Sequence, residues 1–249
     1  MSKKGLKQAQ ISIFVIIAIV VVISIILIFI FWQQPFLKYR ATEDPQAYIQ
    51  QCLEPSLEDI SEQVMIHGGY LNPDFSLRYK GEERAYICHS DGIEKICTTL
   101  DPMLTSSIEA EIIQGIEEDV IDCFSIFDSS QTIDYEVEVK PKHILLKIDK
   151  EITIIRQGEM IDFDVFNVDI TSPLYDMISL VNQIVNQEVD CDCVRESCNA
   201  DVLALSRQNK DFEIERYVSG RNEKVYTIKD LLTEKEFVFA VRNCVRLPE

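Results

Sequence analysis

Histidine is scarce in this chain, and the motifs of common catalytic sites are absent. Only three histidines occur among 249 residues, and they lie in separate segments: His67, His89 and His143. No P-loop, GxGxxG, HExxH or GxSxG pattern is present. Catalytic groups need not be neighbours in sequence, so this absence does not exclude every enzyme. We nevertheless expect no catalytic residues, no cofactor and no metal.

Basic residues are too few to form a surface for nucleic acid. The chain has 24 Lys and Arg against 42 Asp and Glu, which gives a formal charge of −18. Every acidic residue lies at or after Glu43, and no basic cluster accompanies them. A protein that binds nucleic-acid phosphates needs such a cluster. The composition therefore argues against nucleic acid as a partner and predicts an acidic, solvated surface.

One long apolar run lies near the N-terminus and predicts a membrane anchor. Residues 11–32 are apolar except for Ser12 and Ser24. A helix of this length measures about 33 Å, close to the ~30 Å hydrocarbon core of a bilayer. A secretory signal has a shorter apolar region and a small-residue cleavage site, which this run lacks. We expect residues 1–10 to be a cytoplasmic tail, 11–32 a transmembrane helix, 33–44 a linker and 45–249 an extracytoplasmic domain.

The cysteines predict the orientation of this anchor. All eight follow the apolar run: Cys52, Cys88, Cys97, Cys123, Cys191, Cys193, Cys198 and Cys244. An even number of cysteines beyond a single span is typical of an oxidising compartment, in which disulfides form. The expected location is therefore the cell membrane, with the N-terminus in the cytoplasm and the C-terminal domain outside.

Two disulfides are indicated by local patterns. Cys52 and Cys123 each lie on the apolar stripe of a predicted helix, so we expect them to join the two helices. Cys88 and Cys97 bracket a loop that a local disulfide would close. The pairing of the remaining four cysteines stays open. An alternative is that Cys191, Cys193 and Cys198 bind zinc, although C-x-C-x4-C is not a standard ligand spacing.

Helical spacing of apolar residues predicts three long helices in the domain. The first starts at residues 44–45 and ends at the glycine pair 68–69, and Pro55 is expected to kink it or divide it in two. The second opens on a capping box formed by Ser106 and Glu109. The third opens at residues 172–173 and runs into an acidic, cysteine-rich loop at 188–198.

Period-2 alternation predicts strands in the rest of the domain. The predicted strands are residues 75–79, 84–88, 133–139, 144–148, 152–154, 161–170, 212–217, 225–228 and 237–241. Alternating patterns joined by short turns are typical of antiparallel sheets with one wet face. We therefore predict an α+β fold, in which an N-terminal transmembrane helix precedes a disulfide-stapled ectodomain of antiparallel sheet with helices packed on it.

The first residues resemble precursors of archaeal type IV pilin-like proteins. The matching residues are Lys3-Lys4-Gly5 and the stretch Gln10-Ile11-Ser12-Ile13-Phe14. In such precursors a peptidase cuts after the glycine and leaves the apolar helix on the product. The resemblance implies cleavage after Gly5 and an apolar helix that packs in a filament core.

A broader resemblance covers most of the chain and is to uncharacterised single-pass envelope proteins of small-genome archaea. It is carried by the Lys-Lys-Gly start, the helix with Cys52-Leu53 that ends in Gly68-Gly69-Tyr70, the helix from Ile108-Glu109 to Cys123, the alternating strands, and Glu236-Phe237-Val238-Phe239-Ala240. The resemblance implies the same topology and fold, and it implies no activity.

These patterns together predict a membrane-anchored cell-surface or envelope protein with a non-catalytic ectodomain. The expected partners are the lipid bilayer, through the N-terminal helix, and an envelope or surface protein; an oligomer is compatible with the sequence. One alternative is a pilin-like filament subunit processed after Gly5. A second alternative is an envelope-bound hydrolase.

Overall fold

The computed structural model describes residues 19–24, 43–92, 95–127, 133–156, 158–190, 193, 200–219 and 223–244. Residues 19–24 are helical. The remainder of the predicted transmembrane segment, residues 11–18 and 25–32, lies outside the described residues, as do Gly5, Cys191 and Cys198. Within the described ranges, no helix is both long and apolar enough to cross a membrane.

The chain divides into two compact units. One comprises residues up to Tyr48 together with Thr153–Ile161, and the other comprises Ile49–Ile152 together with the residues from Asp162 onward. The second unit contains the sites discussed below.

After residues 19–24, the described chain contains four helices and nine strands. The helices are α1 (Pro45–Ile66), α2 (Leu104–Phe124), α3 (Leu174–Val189) and α4 (Val202–Gln208), and a 3-10 turn, Ser125–Phe127, follows α2. The strands are β1 (Ser76–Tyr79), β2 (Glu82–His89), β3 (Thr98–Thr99), β4 (Asp134–Lys140), β5 (His143–Arg156), β6 (Glu159–Thr171), β7 (Phe212–Ser219), β8 (Glu223–Asp230) and β9 (Glu236–Arg242). The α+β class predicted from the sequence is confirmed.

Helix α1 begins and ends where the sequence predicts. The Asp44 carboxylate accepts a hydrogen bond from the Ala47 N–H at 3.0 Å, as an N-cap does. Gly69, with φ +105°, ends the helix, and its N–H donates to the Val64 carbonyl. The expected break at Pro55 is wrong, because α1 is continuous through this residue. Fully buried residues on both sides of Pro55, among them Leu53 and Leu57, anchor both halves of the helix in the core.

The predicted capping box at the start of α2 is also wrong. The helix begins at Leu104, before Ser106, and no side chain caps its first turn. Leu104 is 2% exposed, so burial of this side chain accounts for the earlier start. Glu109 has a different role: its carboxylate accepts a hydrogen bond from the Val139 N–H of β4 at 2.9 Å.

The strands form two sheets. The larger has six strands in the order β1-β2-β9-β8-β7, with β3 paired to β2, and the smaller is antiparallel with the order β4-β5-β6. Strands β2 and β9 are parallel, whereas the sequence predicts antiparallel pairing throughout. Alternation within a strand reveals its two faces but not the direction of a distant partner, so this pair was not predictable. Helix α3 contacts β2 and β9 of the larger sheet, β4 of the smaller sheet, and α2.

The outer edge of β6 is partly covered by a side chain of α1. The Gln50 side-chain amide donates to the Asp169 carbonyl and accepts from the Asp169 N–H, each at 3.2 Å. The amide thus makes the two hydrogen bonds that another strand would make at this position. Covering of this kind protects an edge strand from pairing with another chain.

Three disulfides lie within the described residues. Cys52 pairs with Cys123 and Cys88 with Cys97, and both predictions are confirmed. Cys193 pairs with Cys244. A disulfide sulfur is not a thiolate, so Cys193 is not available for the zinc alternative. The described part of the chain contains no free cysteine.

Candidate functional site

The two faces of the larger sheet differ in chemistry. Residues directly opposite in an antiparallel pair share a face, so Tyr226 and Phe239 lie on one face and Val225 and Ala240 on the other. We call the first the helix face, because Glu188 of α3 contacts it through Tyr226. We call the second the open face, because it carries Tyr217, which is 53% exposed.

The helix face contains a buried polar group, which we call the Glu188 cluster and define as Glu188, Lys224, Tyr226 and Asn243. These four residues are at most 3% exposed. Lys224 Nζ lies 2.5 Å from Glu188 Oε2, and the Tyr226 hydroxyl donates to Oε1. The Ala200 N–H also donates to Oε1, at 3.1 Å. Buried charges need partners of this kind, and the carboxylate has donors on both oxygens.

Burial perturbs the titration of this cluster. Removal from water lowers the pKa of the Lys224 ammonium, and the opposing attraction of Glu188 only partly offsets this effect. Burial raises the pKa of the Tyr226 phenol well above its usual range, and the nearby Glu188 carboxylate adds to the shift. The phenol therefore stays protonated and acts as a hydrogen-bond donor.

Asn243 connects this cluster to the disulfide-bonded segments. Its side-chain Nδ2 donates to Glu188 Oε2 at 3.1 Å and to the Glu188 backbone carbonyl at 2.5 Å. Its Oδ1 accepts a hydrogen bond from the Cys97 N–H at 2.8 Å. Cys97 belongs to one disulfide, and Cys244, which directly follows Asn243 in the chain, belongs to another. One orientation of the Asn243 amide satisfies all three hydrogen bonds, because Nδ2 donates two of them and Oδ1 accepts the third.

The burial of Glu188 was not predicted from the sequence. The predicted acidic loop starts at this residue, whereas α3 continues to Val189 and buries Glu188 completely. A signal was present: Ile184 and Val185 lie on the apolar stripe, and Glu188 follows them at helical spacing. The partners Lys224 and Asn243 carry no comparable signal, because their proximity results from sheet pairing.

A bulge places two ring side chains together on the open face. Tyr86 is opposite Ala240, but Cys88 is opposite Val241, so β2 has one extra residue at this point. The extra residue brings His89 to the same face as Tyr86, and their ring centroids are 5.1 Å apart. Phe75 completes the group, at 4.5 Å from the His89 ring. Bulges often redirect a side chain in this way near functional sites.

Both ring nitrogens of His89 are engaged. Nδ1 lies 3.1 Å from Asp91 Oδ1, and Nε2 lies 3.5 Å from an Arg242 guanidinium nitrogen. Burial and the Arg242 charge lower the pKa of His89, while Asp91 and Glu223 act in the opposite direction. This pattern suits a neutral imidazole that donates from Nδ1 and accepts at Nε2.

The Tyr86 hydroxyl on the open face is neutral. Burial and a hydrogen bond with Glu223 raise the pKa of Tyr86 to about 12.

The other two histidines lie away from the open face, each near its own carboxylate. His67 Nε2 is 3.4 Å from Glu82, and His143 Nδ1 is 3.8 Å from Asp169. The structure therefore does not bring the three histidines together.

A cavity of about 520 Å³ opens near the start of α3. Its wall includes Lys142, Lys210, Asp176, Phe212 and Leu232. Neither a histidine nor a cysteine from the sequence analysis lines it. In the part of the chain that the structure describes, no three His, Cys, Asp or Glu side chains are grouped to hold a metal ion.

The comparisons with known proteins add no neighbour: no protein-family model, curated protein or solved structure matches this chain. The Glu188 cluster is closed to solvent and suits a role within the fold. The open face combines buried residues, among them Tyr86 and Ala240, with the exposed ring of Tyr217.

Proposed function

We propose that this protein is a membrane-anchored surface protein of the cell envelope, whose ectodomain acts by interaction and not by catalysis. Residues 11–32 would form the anchor, residues 1–10 would lie in the cytoplasm, and residues 45–249 would lie outside. The resemblance to single-pass archaeal envelope proteins implies the same arrangement.

The observation that carries the proposal is the pairing of all six described cysteines. Disulfides persist in oxidising compartments and are rare in the cytosol of most cells. Because every cysteine lies after the apolar run, one membrane crossing is sufficient to bring all of them into such a compartment. The paired cysteines therefore favour an external domain over a cytoplasmic one.

The open face is the surface that we expect to contact a partner. Phe75 is 48% exposed and Tyr217 is 53% exposed. Aromatic residues and arginine are enriched at protein interfaces, and Arg242 contacts His89, whose ring lies against Phe75. An envelope or surface protein is therefore the expected partner, and a second copy of the chain is compatible with the same surface.

The engagement of His89 weighs against a hydrolase. A general base must reach the proton that it removes. A carboxylate at Nδ1, here Asp91, is compatible with a catalytic histidine, but Nε2, the atom that would act as the base, faces Arg242 at 3.5 Å. The aromatic rings of Phe75 and Tyr86 also lie against the imidazole. We therefore keep the interaction role as the proposal.

Two measurements on the native protein test this topology. The first is the intact mass after alkylation with and without prior reduction; few or no alkylated cysteines before reduction are expected. The second is limited proteolysis of intact cells, which should remove the domain and spare an N-terminal fragment. Eight free thiols, together with a domain protected from external protease, would overturn the proposal.

The Lys3-Lys4-Gly5 start favours a filament subunit as a second candidate. A prepilin-type peptidase would cut after Gly5 and leave the apolar helix on the product. The same mass measurement distinguishes the two candidates, because loss of residues 1–5 together with filaments in sheared fractions would support the subunit. A full-length mass, or one lacking only Met1, would support a permanent anchor.

A further inference from the structure

The Glu188 cluster brings an amine and a primary amide to one carboxylate oxygen. Lys224 Nζ is 2.5 Å and Asn243 Nδ2 is 3.1 Å from the same atom, Glu188 Oε2. Lys224 precedes Val225 on β8, and its register partner is Val241 of β9, two residues before Asn243. The pairing of adjacent strands thus fixes both side chains beside Glu188.

The surroundings favour a reactive amine. An ammonium ion is not a nucleophile, but burial in a site closed to solvent disfavours the charged form. Burial lowers the pKa of Lys224, and Glu188 is within reach to accept its proton. Proton transfer between the two converts a buried ion pair into a neutral amine and a neutral carboxylic acid.

The surroundings also favour attack on the amide. Asn243 Oδ1 accepts a hydrogen bond from the Cys97 N–H at 2.8 Å, so a backbone donor already points at the oxygen that would become negative. Nδ2, which would leave, points at Glu188 Oε2 and at the Glu188 carbonyl. Asn243 is 1% exposed, so water has little access to compete as the nucleophile.

From this geometry we propose that Lys224 and Asn243 become joined by an intramolecular isopeptide bond, with Glu188 transferring the protons. Lys224 Nζ attacks Asn243 Cγ and forms a C–N bond, and the bond from Cγ to Nδ2 breaks. Glu188 takes a proton from the amine and gives a proton to the departing nitrogen. Overall, an ammonium side chain and a primary amide yield a secondary amide and one ammonium ion, and the Glu188 carboxylate is regenerated. No oxidant or other reactant is needed.

The same contacts also suit a permanent ion pair, in which Glu188 only balances the Lys224 charge. The two interpretations differ in covalent structure, so mass spectrometry separates them. Protein that has folded, and is then completely reduced and denatured, should have a mass lower than that of its sequence by one ammonia. A succinimide at Asn243 would cause the same loss, so the linkage itself must be located.

Tryptic digestion locates the proposed linkage between Lys224 and Asn243. Acylated Lys224 is not cleaved by trypsin, so residues 222–229 should remain intact and carry a branch made of residues 243–246. Fragmentation of this branched peptide should place the link between Lys224 and Asn243. A full mass with separate peptides would overturn the proposal, as would an ammonia loss without the branched peptide.

Matched variants test the roles. Lys224→Arg preserves the positive charge near Glu188 but cannot form the bond, so this variant should have the full mass calculated from its sequence, without the loss of ammonia. Lys229→Arg, a control on the same strand whose amine lies 3.9 Å from Glu234, should retain the ammonia loss. Glu188→Gln preserves a polar side chain but cannot transfer the protons, so the branched peptide should disappear. If a variant fails to fold, the wild-type branched peptide still decides the matter.

Discussion

Cys52 and Cys123 join the N-terminal half of α1 to the last turn of α2, with their Cα atoms 6.1 Å apart and a sequence separation of 71. Each helix has an apolar stripe in the core, represented by Leu53 on α1 and Val120 on α2. The bond therefore joins two helices whose apolar stripes are both buried. Its main contribution is expected in the unfolded chain, where it removes conformational freedom.

We expect Cys52→Ser to lower the free energy of unfolding by about 2–5 kcal/mol, because the loop that the bond closes is long. Denaturant unfolding at constant pH would measure the effect. The double variant Cys52→Ser/Cys123→Ser serves as the control for an unpaired thiol and should lose a similar amount. An unchanged midpoint in both variants would show that the bond does not stabilise the fold.

Gly69 and Gly81 form a matched pair for testing the end of α1. Both have positive φ, +105° and +95°, so alanine is strained at either position by about 1–2 kcal/mol. A Cβ at Gly69 would also lie 2.9 Å from Leu104 Cδ1, whereas a Cβ at Gly81 would meet nothing within 4 Å. We expect Gly69→Ala to lower the urea midpoint clearly more than Gly81→Ala. Equal midpoints would mean that Leu104 moves aside without cost.

Removing the cover on β6 should affect both stability and association. In Gln50→Leu the Asp169 N–H and carbonyl lose their partner, and each hydrogen bond is worth about 0.5–1.5 kcal/mol net. The exposed backbone would also favour edge-to-edge pairing. Analytical ultracentrifugation should show more dimer than for Gln63→Leu, a control on the same helix whose amide donates to Asp59. Two purely monomeric variants would contradict the proposed covering role.

His89 should make the fold sensitive to mild acid. Its pKa in the folded state is lowered, so the unfolded chain takes up the proton first. Stability should therefore fall as the pH drops below about 6.5, the ordinary histidine value, and the loss is complete below the folded-state pKa. His89→Gln removes this contribution, so its unfolding midpoint should change less between pH 7 and pH 5 than that of the wild type.

The comparison for this test is His143→Gln, which removes an imidazole that is 43% exposed. This variant should retain the pH dependence of the wild type. If His89→Gln and the wild type lose stability in parallel, the sensitivity arises from other groups.

Local structure was predictable from the sequence because it has a local cause. The stripe of α2 and the alternation in β4 follow from which side chains face the core, and each is visible within one segment. The Cys52–Cys123 bond was predictable for the same reason, since both cysteines lie on apolar stripes. The errors at Pro55 and Ser106 arose where tertiary burial overrode a local signal.

The two faces of the larger sheet were not predictable, because they depend on pairing between distant segments. His89 lies beside Tyr86 only because β2 has a bulge opposite β9, and no pattern in the β2 sequence predicts this bulge. Asn243 looks unremarkable in the sequence, yet it holds Cys97 and Glu188 in place through its amide. Only the helical spacing of Glu188 offered a signal for either site.

The parallel pairing of β2 with β9 also means that β2 is synthesised long before the strand it pairs with. Strand β9 lies between β2 and β8 in the sheet, but it begins at Glu236, long after β2 ends at His89. At about 5–20 residues per second, the ribosome needs roughly 7–30 s to make the chain between them. During this time the inner edge of β2 has no β9 to pair with. An unpaired strand edge of this kind favours pairing with other chains, so the interval before β9 is made is the period in which the nascent chain is most prone to aggregate.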